Sequence, residues 1–293
     1  MNTDQQQWDI VSGVGMTALL VAAGRALESK RPDALITDPY AARFVTRAEP
    51  PTPVPLTPEG LREHADPGGM WAAMTEYVGV RSRVFDDFFL GAARDGVRQA
   101  VILASGLDTR AFRLEWPDGT RCFELDQPLV LDFKLRVLQE EGARPGCAHR
   151  AVPVDLRDDW ATALEAAGFD ASRPTAWLAE GLLPYLPPRA EERLFKEIDR
   201  LSAPGSRVAL EQAHEMNESV RDRVFRETSE ALGVDMTSLV PEGEKRSVED
   251  QLDALGWEYE SRSVRESSRR LGRATTEWPA MADRLVHTFA QRP

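Results

Sequence analysis

Three acidic residues stand at the ends of short apolar segments, where a side chain could bind a polar ligand. Asp126 ends RCFELD, Asp155 ends AHRAVPVD, and Glu180 stands near the end of TAWLAEG. Short apolar runs bounded by turn residues are typical of buried strands. Ligands of open α/β sheets bind beyond the carboxyl ends of the strands. We therefore expect these three acids to lie along one binding edge.

A further apolar run, QAVILA, leads into the segment LASGLDTR at 103–110. Gly106 would let a ligand approach the backbone closely, and Ser105 and Asp108 flank it. Asp126 follows Gly106 by 20 residues, a spacing at which a carboxylate commonly binds two ribose hydroxyls. Because the segment lacks the complete GxGxxG pattern of a dinucleotide site, these residues indicate a nucleoside-containing ligand and nothing narrower.

Each of these features has a structural alternative. A single glycine after a strand is more often part of a turn, and a carboxylate at a strand end often caps the next helix. The occurrence of acids at several strand ends is what favours a ligand site.

Composition argues against several other kinds of site. The chain has two cysteines, which are too few for a disulfide framework or a four-cysteine metal site, and its four histidines lack the HExxH spacing. We therefore expect no bound metal. The net charge of -12 disfavours nucleic acid as a partner. No apolar run suits a bilayer and no secretory signal pattern is present, which predicts a cytoplasmic protein without a membrane partner.

Strands and helices are predicted to alternate from residue 97 onward. The helices are predicted at 128–141, 158–167, 188–201 and 248–255, and the seven strands at 99–104, 121–126, 148–155, 175–181, 206–212, 257–264 and 285–290. This alternation implies right-handed crossovers and a mainly parallel sheet covered by helices on both faces.

The first 96 residues predict helices instead. Helical spacing is present at 17–28 and 70–95, and the proline-rich stretch 48–69 predicts a loop. We expect a single domain over 1–293, with an N-terminal helical cap at 1–96 and an α/β core at 97–293. An extra helical insertion after the fifth strand, at about 217–243, could serve as a lid.

Seven strings, in this order along the chain, resemble the leucine carboxyl methyltransferase-like family, particularly its actinobacterial members. They are GMTALLVAAGRALES (15–29), LITDPYAARFV (35–45), VRSRVFDDFF (80–89), VILASGLDTRAFRL (101–114), FELDQP (123–128), VPVDLRDDW (152–160) and AEGLLPYLPP (179–188). The resemblance spans 15 to about 212 and weakens beyond. It implies a seven-stranded, mainly parallel Rossmann-like methyltransferase sheet with a helical cap and an insertion, and S-adenosylmethionine as the cofactor.

The resemblance also implies roles for individual residues. Arg81 of VRSR would contact the methionine carboxylate with its planar guanidinium, and Gly106 would lie beneath the methionine portion. Asp126 would hold the ribose, and Glu180 would face the methionine amino group or the central part of the cofactor. Asp155 and Leu156 would contact adenine. The remaining predicted cofactor-binding residues are Ala104, Ser105, Asp108, Gln127 and Gly181.

Alternatives remain for several of these assignments. Arg81 could pair with Asp86 or Asp87 on its own helix, and Asp155 could cap the next helix. Tyr185 of LLPYL would face the acceptor pocket or could be a core residue.

The implied chemistry requires mainly positioning, because the sulfonium of the cofactor already activates the methyl group. A carboxylate acceptor is ionised at neutral pH and requires no general base, whereas a hydroxyl acceptor would benefit from one. His214 and Tyr185 are the candidates for a catalytic role, although a lone histidine is more often structural.

The expected activity is O-methylation of a small-molecule carboxylate or hydroxyl, as in bacterial secondary metabolism. The alternatives are an NAD(P)-dependent reductase on a related sheet and a non-catalytic S-adenosylmethionine-binding protein. The sequence leaves the acceptor and the oligomeric state open.

Overall fold

A sheet of seven strands forms the centre of the fold. The computed structural model describes residues 10–11, 13–63, 69–213, 239–273 and 279–293. The strands are β1 Gln99–Leu103, β2 Arg121–Asp126, β3 Ala148–Pro153, β4 Ala176–Ala179, β5 Arg207–Ala213, β6 Glu258–Ser263 and β7 Leu285–Gln291. Their order is β3-β2-β1-β4-β5-β7-β6. β1 to β5 pair in parallel, and β7 is antiparallel to both β5 and β6.

Eleven helices lie in the described part of the chain. They are α1 Gly13–Glu28, α2 Ala41–Ala48, α3 Pro58–Glu63, α4 Met70–Arg94, α5 Arg110–Arg113, α6 Pro128–Glu140, α7 Trp160–Ala166, α8 Pro188–Arg200, α9 Val248–Ala254, α10 Val264–Arg270 and α11 Pro279–Arg284. The predicted α/β class and seven-stranded, mainly parallel sheet are confirmed. No described helix has the length and apolar character needed to cross a membrane.

Strand order determines where a ligand can bind. The chain winds outward from β1 to β2 and β3, and then returns to place β4 and β5 on the other side of β1. The crevice beyond the carboxyl ends of β1 and β4 is therefore the point at which the winding direction reverses, which is the usual ligand position in such sheets.

The long helix α4 lies across one face of the sheet. Its residues Phe85 and Phe89 are buried against Ile102 of β1 and Leu178 of β4. Burial of each ring contributes about 1.5–3 kcal/mol. Because α4 is followed directly by β1, its N-terminal half extends toward the carboxyl end of the sheet. Arg81, one turn before Phe85, is carried to that end.

The opposite face has its own apolar core. Phe123 and Trp177 of the sheet are buried there together with Trp160 of α7 and Leu194 of α8. The rings of Trp160 and Trp177 meet edge to face at a centroid distance of 6.3 Å. With both faces covered, the edge formed by the strand ends is left for a ligand.

The loop predicted for 48–69 is wrong over Pro58–Glu63, which forms α3. Thr57 precedes it and its hydroxyl accepts a hydrogen bond from the Gly60 amide at 3.0 Å, while Pro58 takes the first helical position. None of the six residues is buried, so the helix has no apolar face that periodicity could detect. The predicted insertion at 217–243 lies outside the described residues except for 239–243.

Candidate active site

The loop after β1 turns sharply at the expected binding edge. Ala104 and Gly106 have φ angles of 50° and 47°, so two of three successive residues are left-handed. This conformation costs an alanine roughly 1–2 kcal/mol. The Ser105 amide donates to the Leu125 carbonyl at 2.9 Å, which ties the loop to β2. A side chain at position 106 would contact Ala18 of α1 at 3.4 Å.

Asp126 ends β2 directly beside this loop. One carboxylate oxygen accepts from the Gly106 amide at 2.6 Å, and the other accepts from the Gln127 amide at 2.7 Å. Burial raises the pKa of Asp126, although both amide donors act to lower it. Each oxygen has one described donor, so each keeps a lone pair for another hydrogen bond.

Asp155 lies two residues beyond β3 and pairs with Arg157 of its own loop at 2.7 Å. The Gln127 side chain donates to it at 3.1 Å. The helix-cap alternative for Asp155 is wrong, because Asp159 caps α7 by accepting from the Thr162 amide. Gln127 thus connects the ends of β2 and β3, as expected if both strand ends contact one ligand.

Arg81 is buried between two glutamates of the sheet. Its guanidinium lies 2.7 Å from Glu180, just beyond β4, and 3.2 Å from Glu211 of β5. Pairing of Arg81 within α4, the alternative considered above, is wrong. Asp86 instead pairs with Arg110 and Arg113, and Asp87 pairs with Arg83.

Arg110 joins three carboxylates that come from different elements. It contacts Asp86 of α4 at 2.8 Å, Glu180 at 2.6 Å, and also Asp108 in the loop after β1. Arg113 adds a second guanidinium to Asp86 at 2.5 Å. The side chain of Arg110 is only 2% exposed, so the loop, α4 and the β4 end are held by a buried ionic network.

Burial and charge have opposing effects on the pKa values in this network. Burial alone would lower the pKa of Arg110, but Asp108, Glu180 and Asp86 raise it well above its usual range. Burial would raise the pKa of Glu180, but Arg110 and Arg81 hold it below its usual value. Both groups therefore remain charged at neutral pH.

The N-terminal region also holds the loop after β1 in place. Arg25 of α1 pairs with Asp38 at 2.8 Å and donates to the Leu107 carbonyl at 2.6 Å. The hydroxyl of Thr109 donates to Asp38 at 2.8 Å. In the string GLDTR, Thr109 and Arg110 bind neighbouring elements and Asp108 pairs with Arg110, so the three side chains fix the loop that carries Gly106.

The predicted catalytic residues have different outcomes. Tyr185 lies in a single 3-10 turn, Leu183–Tyr185, after β4. Burial raises its pKa, against the effect of a hydrogen bond with Thr17 of α1. It thus lies between α1 and the end of β4, and its role in the acceptor pocket stays a prediction. His214 lies outside the described residues.

A cavity of about 500 Å³ lies next to this turn. Its lining includes Leu183 and Pro184 of the turn, Gln212 and Ala213 at the end of β5, and residues 240–241 and 243–248. It opens at the carboxyl ends of β4 and β5, on the far side of β4 from Asp126. Small-molecule pockets commonly have about 300–1,000 Å³.

The residues present suit a polar, nucleoside-containing cofactor. The Ser105 hydroxyl is buried and has no hydrogen-bond partner in the described part of the chain. An unmet buried hydroxyl costs about 1–3 kcal/mol, which a ligand group could relieve. Together with the free lone pairs of Asp126 and the Arg81 guanidinium, it provides donors and acceptors for sugar hydroxyls and for a carboxylate.

Sequence reasoning singled out neither Arg110 nor Glu211. Arg110 stands within the matched string ASGLDTRAFRL, but its spacing gave no indication of its partners. Glu211 stands in the apolar strand SRVALEQ and is 4% exposed. A glutamate at the end of an otherwise apolar strand was the available signal, because buried acids normally require a partner.

Comparison with known proteins identifies the family. A family model described as leucine carboxyl methyltransferase matches residues 18–199. Relatives named "Putative S-adenosyl-L-methionine-dependent methyltransferase" include one from Saccharopolyspora erythraea, 52% identical over 252 residues with 86% of each chain covered. One from Mycolicibacterium smegmatis is 46% identical over 269 residues, covering 89% of this chain and 88% of its own.

A solved structure supports the fold. A "putative methyltransferase" from Thermobifida fusca superposes with a TM-score of 0.55 at 16% identity, covering 94% of each chain. The chain belongs to the leucine carboxyl methyltransferase family, and it is an S-adenosylmethionine-dependent methyltransferase.

Proposed function

We propose that this enzyme transfers the methyl group of S-adenosylmethionine to a carboxylate or hydroxyl oxygen of a small molecule. One observation carries the proposal. Asp126 at the end of β2 and the Arg81–Glu180 pair at the end of β4 lie on opposite sides of the Gly106 loop, at the reversal point of the sheet. A nucleoside with an amino-acid tail, lying across the loop, would meet these groups in that order.

The nucleoside half would be held by β2 and β3. The two oxygens of Asp126 each keep a lone pair, so the carboxylate can accept from both ribose hydroxyls. Asp155, connected to the same edge through Gln127, offers an acceptor to the adenine amino group. Leu156 offers an apolar wall. The Ser105 hydroxyl, without a described partner, would gain one.

The amino-acid half would be held by β4 and α4. Arg81 can donate to a carboxylate through two parallel N–H groups, the geometry in which arginine binds carboxylates best. Glu180, kept ionised by Arg110 and Arg81, can accept from the ammonium group. Gly181, with no side chain, lets the Arg81 guanidinium lie directly beside the backbone at this end of β4.

Catalysis would then consist mainly of alignment. S-adenosylmethionine supplies a methyl group already activated by its positive sulfur. The protein has to hold the acceptor oxygen in line with the carbon–sulfur bond and exclude water. A carboxylate acceptor gives a methyl ester and S-adenosylhomocysteine with no proton released. A hydroxyl acceptor gives an ether and releases one proton, which requires a base.

The 500 Å³ cavity beside the Leu183–Tyr185 turn supports a small-molecule acceptor. Leu183 and Pro184 of the turn line this cavity, whereas the hydroxyl of Tyr185 is directed toward Thr17 of α1. Its raised pKa makes it a poor base near neutral pH. Alignment of an ionised carboxylate is therefore the simpler of the two chemistries.

The test uses S-adenosylmethionine with a tritiated methyl group and panels of aromatic and aliphatic acids and alcohols. Alkali releases labelled methanol from methyl esters and leaves methyl ethers intact, so the acceptor oxygen is identified directly. Calorimetry with S-adenosylhomocysteine and NADPH accompanies the assay. Binding of NADPH alone, or cofactor binding without transfer to any acceptor in either panel, would contradict the proposal.

A further inference from the structure

Glu211 is a buried acid of the active site that has no role in the assignments above. It lies at the carboxyl end of β5 and is 4% exposed. Successive side chains of a strand point to opposite faces of the sheet. The preceding residue, Leu210, lies in the core of the opposite face, so the side chain of Glu211 points toward α4. The carboxyl group therefore points at the part of α4 that carries Arg81.

Three groups converge on the Glu211 carboxyl. Arg81 lies 3.2 Å from one oxygen, and the Tyr77 hydroxyl donates to the other. The backbone amide of Gly181 also interacts with the carboxyl and lowers its pKa. Tyr77 and Arg81 are one helical turn apart, with the guanidinium 5.7 Å from the centre of the tyrosine ring.

Glu211 and Glu180 together define the orientation of the Arg81 guanidinium. Nε lies 2.7 Å from a Glu180 oxygen, and an Nη group lies 3.2 Å from a Glu211 oxygen. A planar guanidinium approached by carboxylates on two edges has one orientation, with its remaining donors directed away from both. Nε is buried and makes no hydrogen bond within the described part of the chain, so the guanidinium keeps donor capacity for a third acceptor.

We propose that Glu211 is a positioning residue of the cofactor site: it holds Arg81 and Gly181 in the arrangement that receives the carboxylate of the cofactor's amino-acid tail. The inference rests on the proposed function, in which Arg81 binds that carboxylate. Glu211 would touch neither the cofactor nor the acceptor. It would act by keeping the guanidinium from rotating and the β4 loop from moving away.

The protonation of Glu211 agrees with this role. Burial raises its pKa to about 8, so near neutral pH the group is largely uncharged. A neutral carboxyl can hold Arg81 by a hydrogen bond without cancelling the positive charge that attracts a ligand carboxylate. An ionised residue at the same place would compete with the ligand.

Two ligands separate this role from a general structural one. S-adenosylhomocysteine and 5′-methylthioadenosine are both adenosine thioethers, but the second lacks the amino and carboxylate groups. We expect Glu211→Ala to weaken S-adenosylhomocysteine about tenfold, the size of one hydrogen bond to a charged group. The affinity for 5′-methylthioadenosine should change less than about twofold. Glu211→Gln, which keeps the shape and a hydrogen-bonding group, should restore most of the loss.

The matched control is Glu258→Gln on β6, an exposed glutamate, which should leave both dissociation constants unchanged. Equal weakening of both ligands by Glu211→Ala, with an unchanged melting temperature, would overturn the inference. If that variant does not fold, Tyr77→Phe decides the question. It removes the hydroxyl from Glu211 and should weaken only S-adenosylhomocysteine, and an unchanged affinity would count against the inference.

Arg81→Met distinguishes this inference from the proposed function. If this variant binds both ligands as the wild type does, the assignment of Arg81 in the proposed function fails. If it weakens only S-adenosylhomocysteine while Glu211→Ala does not, the proposed function stands and the inference about Glu211 fails. If both are correct, Glu211→Ala added to Arg81→Met should cause little further loss, because the two residues act on one contact.

Discussion

Gly181 and Arg81 are in contact so close that any side chain at position 181 would displace the arginine. A Cβ atom there would lie 2.7 Å from the Arg81 guanidinium. Gly181 also has a φ of 63°, a conformation that side chains disfavour. The glycine therefore serves two purposes: it allows the chain to turn after Glu180, and it lets the arginine lie directly over the backbone.

Gly181→Ala should reduce cofactor affinity by displacing Arg81. The matched control is Gly119→Ala, because Gly119 has a similar φ of 77° but nothing within 4 Å of the added methyl. Both variants should lose about 1 kcal/mol of stability from backbone strain. Only Gly181→Ala should weaken S-adenosylhomocysteine in calorimetry, by about tenfold or more. Equal affinities in the two variants would show that the contact has no role in binding.

Asp126→Ala should abolish measurable binding of S-adenosylhomocysteine while the protein stays folded. Two hydrogen bonds from ribose hydroxyls to a carboxylate contribute about 1.5–3 kcal/mol each, so a loss of a hundredfold or more is expected. Asp132→Ala on the exposed side of α6 is the control. Calorimetry measures the affinity and circular dichroism checks the fold. Undiminished affinity would refute the ribose assignment.

Arg110→Met should strongly destabilise the enzyme. It leaves Asp86, Asp108 and Glu180 without their shared guanidinium in a buried setting. Breaking a buried ion pair typically costs about 3–5 kcal/mol. Arg83→Met, which breaks an exposed pair with Asp87, should cost less than about 1 kcal/mol. Urea unfolding followed by fluorescence measures both, and similar losses would argue against the buried network.

Glu211 should make stability fall as pH rises. Its pKa is about 8 in the folded protein against an ordinary 4.5, so between these values the unfolded chain is ionised while the folded chain keeps its proton. The stabilisation is complete below the unfolded pKa and is lost as pH rises through the folded one. Glu211→Gln cannot ionise, so its melting temperature relative to wild type should rise from pH 5 to pH 8.

The groups around Glu211 do not produce the same trend in this range. Burial lowers the pKa of His287, which pairs with Glu211 across β5 and β7, from 6.5 to about 3. It therefore makes stability rise with pH up to about 6.5, the opposite trend, and does so in wild type and Glu211→Gln alike. Arg81 and Glu180 remain charged in this range. A melting-temperature difference that does not change with pH would show that Glu211 is ionised like an ordinary glutamate.

The sequence by itself determined most of the fold. All seven strands lie where the sequence predicted them. The central strands β1 and β4 are apolar along their length because helices cover both faces, whereas the edge strands β3 and β6 are largely exposed. It also indicated that Asp126, Asp155 and Glu180 would lie at one edge, since the carboxyl ends of parallel strands meet there. The family resemblance then supplied the cofactor, which strand ends alone could not specify.

Tertiary structure alone decided which groups pair. Pairing of Arg81 with an acid on its own helix was the alternative to a cofactor contact, but its partners Glu180 and Glu211 come from β4 and β5. Arg110 binds acids from three separate elements. Periodicity reports which face of an element is buried, and it carries no information about which elements become neighbours. That choice is made when the chain returns past β1 to place β4 and β5 beneath α4, and it brings these charges together.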